Sequence, residues 1–249
     1  MSLASAGARA LFFGYWNAAR RYHRYEVVGL ENLDAVGGAV IAAYHGRPVA
    51  YDFCMLQALL LEERGVLPRA IIHRVFRTWP VLRWLYEGAE FLDGDGPDLA
   101  AALQGGERVI ITPGGVREGA RSRHDRYRVE WGGRLGYLRV ALKYGVPIVP
   151  AASSGVDDGY LAFNDGYRLG KRVGMPAGLP LWLGIGPLGP WPLSPPFPVK
   201  ITTHLGAPID LLSEGPVDPE DREALLPLHR RVVAAVQALL DGARTRRPG

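Results

Sequence analysis

Short, wholly apolar runs alternate with longer stretches of helical periodicity along this 249-residue chain. The run "GGAVIAAYH" (37–45) is apolar through its centre, as a strand covered on both faces of a sheet must be. "YDFCMLQALLLEER" follows with a helical pattern that "RGVLP" ends. "RAIIHRVF" predicts a strand, and "PVLRWLYEGAEF" a helix leading into extended chain. "DLAAALQGGERVIITPGG" predicts helix, glycine stop and apolar strand, and "GRLGYLRVALKYGVPIVPAAS" repeats that order. Nearer the ends, "RYEVVGLENL" reads as strand and turn, and "FPVKITTHLGAPIDL" as a return to strand. "DREALLPLHRRVVAAVQALL" closes as a helix with Pro227 as a kink or break. The alternation predicts an α/β fold: a single layered domain with a central, mostly parallel or mixed sheet flanked by helices. No internal repeat or linker divides it. An amphipathic helical segment over 1–25 precedes a domain over 26–249.

Two stretches depart from that pattern. "ALFFGYWNAARRYHRY" places Phe12, Trp16 and Phe13 on one side of a helix and gathers arginines towards its end. This is the pattern of an interfacial helix, and equally that of ordinary packing anchors, so both readings stand. From Val173 to Val199 there is no charged residue, a length that suggests a membrane span. Eight prolines within it oppose that, because each lacks an N–H and breaks the regular helix that lipid demands. A proline-rich apolar excursion, over the core or along a membrane surface, fits better.

Composition adds limits rather than a function. Hydrophobic residues at 48% and charged ones at 22% describe a globular chain. The formal charge of +4 is modest, but Arg9, Arg20, Arg21 and Arg24 lie near one end and Arg244, Arg246 and Arg247 near the other. Cationic ends suit an anionic partner, or simply keep the chain soluble. A single cysteine, Cys54, excludes an intrachain disulfide and a cysteine-based zinc cluster. No signal peptide is evident, since Arg9 interrupts the N-terminal apolar stretch.

Two strand ends carry candidate chemistry. In "YHGRPVAYD" (44–52), His45 follows a strand and Asp52 lies near the start of the next helix. A carboxylate folded back onto the imidazole would fix its tautomer and stabilise the imidazolium formed on proton abstraction. The alternative is a turn histidine beside an aspartate that caps its helix. In "ITPGGVREGARSRHDRYR" (111–128), Gly114 and Gly115 offer N–H groups unscreened by side chains, fit for an oxyanion or phosphate. Arg117 follows at once, and Arg121, Arg123, Arg126 and Arg128 come behind it, at least two of them read as solvated. There is no G-K-[ST] after the glycines, no G-x-S-x-G, no H-E-x-x-H and no G-x-G-x-x-G after a strand. A histidine base acting on a hydroxyl supplied by the substrate remains.

These motifs resemble the glycerolipid acyltransferases of the PlsC-like type, closest to the branch of diacylglycerol acyltransferase, phytyl ester synthase and transmembrane protein 68-like proteins. The likeness runs from "EVVGLENL" to the C-terminal helix. "YHGRPVAYD" is similar to the family's first block, in which a histidine and an aspartate form a catalytic dyad. The commonest spacing would put the acid at position 50, which is Ala50 here, and Asp52 fits a longer loop. "HRVFRTWPVL" (73–82) lies where the second block sits, and the resemblance implies acceptor contacts for Arg74 and Arg77. "TPGGVREGA" (112–120) resembles the third block, with Gly114 where phosphate-acceptor enzymes usually carry glutamate. Its Gly-Gly and Glu118 look like the neutral-lipid branch. "GVPIVPAA" (145–152) resembles the fourth.

The resemblance implies transfer of an acyl group from a thioester to an alcohol or neutral-lipid hydroxyl, without an acyl-enzyme. A lysophospholipid acceptor, or a non-catalytic lipid-binding role on the same fold, are the alternatives. His45 would be the base and Asp52 its orienter. Gly46, Gly114 and Gly115 would supply oxyanion donors, and Arg117 and Glu118 would contact substrate. Acyl-CoA or acyl carrier protein would be the donor, with no resident cofactor, no metal and no nucleic-acid partner. Contact with the cytoplasmic face of a membrane would rest on surface features.

Overall fold

The computed structural model describes residues 3–72, 83–84, 87–94, 96–175, 180–213 and 215–245. Its core is a six-stranded mixed sheet in the order β1-β9-β5-β2-β4-β3. The strands are β1 (Glu26–Val28), β2 (Ala39–Ala43), β3 (Arg69–Ala70), β4 (Arg108–Ile111), β5 (Ile148–Ser154) and β9 (Thr202–Leu205). Strands β3, β4, β2 and β5 run parallel; β9 is antiparallel to β5, and β1 parallel to β9.

The apolar runs follow from two-sided burial. Ala39, Ile41 and Ala43 of β2 enter one core with Phe12, Phe13 and Trp16 of α1 (Leu3–Tyr22) and Phe53, Met55 and Leu56 of α3 (Tyr51–Arg64). Val40 and Ala42 enter a second core on the other face, against α4 (Pro97–Gln104), α6 (Gly136–Tyr144) and α8 (Arg222–Thr245). Both faces of the strand are therefore apolar, as the period of two requires. Short helices α2 (Glu31–Asp34) and α5 (Gly115–Gly119) follow β1 and β4.

The predicted glycine stops stand where helices end: Gly65 closes α3 at φ 66° and Gly145 closes α6 at φ 60°. Pro227 does not break the last helix, which runs unbroken from Arg222 to Thr245. Leu225, Leu228, Val232, Val236 and Leu240 form a buried stripe on both sides of the proline. Their burial, at roughly 1.5–3 kcal/mol per large side chain, outweighs a proline penalty of about 3 kcal/mol.

Of the two readings of α1, the structure shows packing. Phe12, Phe13 and Trp16 are buried, and Trp16 meets Tyr51 of α3 with ring centroids 5.5 Å apart. The charge-free excursion supplies β7 (Gly184–Gly186) and β8 (Gly189–Pro190) of a second antiparallel sheet whose remaining strand is β6 (Leu161–Ala162), with α7 (Gly166–Arg172) between β6 and β7 in the chain. Among the described residues no helix is long and apolar enough to cross a membrane.

Candidate functional site

Parallel strands β2, β4 and β5 deliver three loops to one edge of the sheet, the position where open α/β sheets bind ligands. Tyr44 to Ala50 follow β2, Thr112 to Gly115 follow β4, and Gly155 to Asp157 follow β5. Each begins where a central strand of the sheet ends, so its polar groups are held by a rigid frame.

His45 is gripped through its backbone from both sides. Its N–H donates to Oε2 of Glu118 at 2.8 Å, and its carbonyl accepts from the Arg121 guanidinium at 2.5 Å. Both partners lie in one short stretch, at the end of α5 and just beyond it. Glu118 is fully buried and also accepts from the Glu130 N–H at 2.9 Å and the Trp131 indole N–H at 3.3 Å. Its carboxylate is thus spent on the scaffold.

The imidazole is oriented by a carbonyl. His45 Nδ1 lies 2.8 Å from the Gly46 carbonyl oxygen, and a carbonyl only accepts, so Nδ1 carries the proton. Nε2 is left with a bare lone pair and no protein partner among the described residues. Burial lowers the imidazole pKa to about 4; the Arg121 charge adds to the effect, and the Gly46 carbonyl opposes it. The ring is neutral at physiological pH. Gly119 backs it closely: a Cβ at that position would stand 2.6 Å from His45 Cε1.

Asp52 lies in the first turn of α3, fully buried, and neither of its oxygens has a hydrogen-bond partner among the described residues. It neither caps the helix, whose N-cap is Ala50 at φ 52°, nor reaches His45 Nδ1 in this conformation. Oδ1 lies beside Gly46, 2.8 Å from where a Cβ would be. Burial pushes the carboxyl up to about 7 against the opposing pull of Ser153 and the first-turn N–H groups. Ser153 bonds to Thr203 at 2.8 Å, so its influence on Asp52 is the weaker, longer-range kind.

The glycine turn splits by role. Gly115 donates its N–H to the Thr112 carbonyl at 2.9 Å, whereas the N–H groups of Gly46 and Gly114 donate to nothing among the described residues. Gly114 is also required sterically, since a Cβ there would stand 2.2 Å from Glu118 Oε2. Arg117 is exposed and unpaired among the described residues. Arg74 and Arg77 lie outside the described residues.

Arg121 is not one of the solvated arginines: Arg123, Arg126 and Arg128 are exposed, but Arg121 is buried. It pairs with Asp157 Oδ1 at 2.9 Å, and Arg47 lies on the same oxygen at 3.5 Å. Tyr44 donates to Asp157 Oδ2 at 2.6 Å. Burial alone would raise the Asp157 carboxyl, but the two guanidiniums outweigh it and hold the group below its ordinary range. Two buried cations thus face two buried carboxylates, Asp157 and Glu118, around the His45 peptide. The sequence reading passed over Arg47 and Asp157. A signal was present for Asp157: like His45, it stands just past the end of a strand with an apolar centre, here Ile148 to Ala152.

A cleft of about 350 Å³, lined by Val36, Leu142, Pro147, Pro208 and Leu211 among others, opens near the starts of β2 and β5, and no residue of the His45 turn lines it. Among the described residues no cluster of His, Cys, Asp and Glu is placed to hold a metal ion.

Comparisons with known proteins place the chain in a family. The family model described as Acyltransferase matches residues 24–154, and that described as Diacylglycerol acyltransferase matches residues 98–247. The chain is 32% identical over 238 residues to the human and bovine proteins called "DGAT1/2-independent enzyme synthesizing storage lipids". The match covers 94% of this chain, 67% of the human relative and 65% of the bovine one, so the chain spans about two thirds of their length. It is also 28% identical over 225 residues to an uncharacterised protein of Mycobacterium leprae, covering 89% of this chain and 60% of that one. The crystal structure of the 1-acyl-sn-glycerophosphate acyltransferase PlsC from Thermotoga maritima shares the fold, with TM-score 0.55 and 18% identity over 97% of this chain and 81% of that one. The chain belongs to the PlsC-like acyltransferase superfamily, and is related within it to the storage-lipid enzymes of vertebrates.

Proposed function

We propose that this protein moves an acyl group from a thioester to a lipid hydroxyl, with residues 26–249 as the acyltransferase unit and His45 as general base. The observation that carries the reading is the His45 ring: neutral, its Nδ1 proton committed to Gly46, its Nε2 lone pair free. Nε2 takes the proton of the acceptor hydroxyl as the oxygen attacks the thioester carbonyl carbon. The tetrahedral oxyanion is met by the uncommitted N–H groups of Gly46 and Gly114. Collapse breaks the carbon–sulfur bond, and the imidazolium returns the proton to the departing thiolate. Asp52, buried and unpartnered, supplies the negative charge that favours the imidazolium during the step. Glu118 and Arg121 position the base through its peptide rather than touching substrate.

The donor is acyl-CoA or an acyl carrier protein, and exposed Arg117 supplies a cation for the phosphate both carry. Two acceptor classes follow from different observations. The vertebrate relatives, called enzymes that synthesise storage lipids, support a neutral hydroxyl, as in a diacylglycerol or long-chain alcohol. The unpaired Arg117 supports a phosphate-bearing lysolipid instead. Crossing both donors with diacylglycerol, hexadecanol and lysophosphatidate separates them. His45→Ala lowers kcat by about 10²–10⁴ with every active pair; turnover equal to wild type sinks the mechanism.

A further inference from the structure

The β6–β7–β8 sheet is apolar on both faces, and only one of them is covered. Successive side chains of extended chain leave opposite faces. Ala162, Trp182, Gly184 and Gly186 are buried, and Trp182 donates its indole N–H to the Arg121 carbonyl at 3.1 Å. The inner face therefore lies on the turn that grips His45. The alternate positions, Leu161 and Phe163 beside Leu181 and Leu183, are exposed. Pairing of Leu161 with Ile185, and the Phe163 N–H on the Leu183 carbonyl at 3.0 Å, sets the two rows side by side. At the hairpin turn Leu188 is 78% exposed, and just past β8 Leu193 is 84% exposed. A strand face turned to water ordinarily carries polar residues; this one carries leucine and phenylalanine. Helix α7, tied to this sheet by the Leu181 N–H on the Gly166 carbonyl at 2.9 Å, adds exposed Arg168, Lys171 and Arg172. The neighbouring acid, Asp165, is paired with Arg168 at 3.0 Å.

We propose that this sheet is the face by which the protein docks on an anionic lipid bilayer. Phe163, Leu183, Leu188 and Leu193 enter the boundary between headgroups and acyl chains, and Lys171 and Arg172 meet lipid phosphates. Two features select a bilayer over a second copy of the chain. The most exposed apolar groups stand at and just past a hairpin turn, where a fluid layer accepts them without the shape complementarity a protein interface needs. The adjoining charge is basic, so a two-fold contact through this face would set like charges together, while anionic lipid attracts them. Helix α1 has already turned Phe12, Phe13 and Trp16 inward. The inference concerns binding alone and holds whichever acceptor the site uses.

Vesicle flotation of the full chain tests it, using phosphatidylcholine alone and an equal mixture with phosphatidylglycerol. The protein floats with the mixed vesicles. Leu188→Ser with Leu193→Ser lowers the partition coefficient by about tenfold or more, the effect of withdrawing two exposed leucines. Lys171→Glu with Arg172→Glu removes the preference for mixed over neutral vesicles. Both pairs lie on the surface and keep the wild-type circular dichroism and melting temperature. A wild type that stays in the dense fraction overturns the proposal, as does a leucine variant that floats unchanged. So does light scattering that finds a wild-type dimer which the leucine substitutions split.

Discussion

Two carboxylates are buried at the ends of adjacent strands, and the fold treats them in opposite ways. Glu118, after β4, receives three N–H donors: one from His45, one from Glu130 and one from Trp131. Asp52, after β2, receives none among the described residues. Native interiors leave few polar groups unpaired, so an orphan calls for a reason. A carboxylate with its lone pairs filled shapes the backbone around it. One left bare holds charge in reserve and costs stability whenever it ionises. The first builds the site; the second belongs to its chemistry.

The sharpest way to break this contrast is to remove Glu118. Glu118→Ala strands three buried N–H groups, and the fold loses about 3–5 kcal/mol, read by denaturant titration. Glu118→Gln keeps one acceptor oxygen and recovers part of that loss. If the Ala variant melts like wild type, Glu118 is not the scaffold described.

Asp52 predicts the opposite sign. Its folded pKa, about 7, lies above the ordinary 3.8, so the folded state holds a proton that the unfolded chain releases between those values. That contribution to stability is complete below the unfolded pKa and is lost as pH rises through about 7. Asp52→Asn therefore raises the melting temperature at pH 8 relative to wild type, by up to about 4 kcal/mol equivalent, with little gain at pH 4. It also lowers kcat. A variant destabilised at pH 8 would mean that Asp52 is paired after all. The smallest effect belongs to Arg117, exposed and unpaired among the described residues: Arg117→Ala leaves the melting curve unchanged and raises KM for the phosphate-bearing substrate it contacts, donor or lysolipid, while KM for a neutral acceptor stays as in wild type.

The layered fold was legible because it depends on local period. The two-sided apolar runs of β2 and β5 and the glycine stops at Gly65 and Gly145 carry their meaning in a few adjacent residues. His45 was legible as a polar residue at a strand end. What the sequence concealed is long-range satisfaction. Nothing near Arg121 distinguishes it from Arg123 or Arg126, because its burial is decided by Asp157, 36 positions later. Glu118 reads as a substrate contact until His45, 73 positions earlier, is found to occupy it. The aromatic stripe of α1 was ambiguous for a related reason: its pattern says that a face is covered, not by what. Pro227 misled because local propensity yields to a stripe packed on both sides of it.

The central claim is the state of the His45 ring. Long-range ¹H–¹⁵N correlation spectra of the imidazole-labelled protein across pH, assigned with a His45→Gln spectrum, read it directly. The structure predicts the Nδ1–H tautomer, with Nε2 unprotonated and titration near 4. An Nε2–H tautomer, or a pKa at or above the ordinary 6.5, would contradict it.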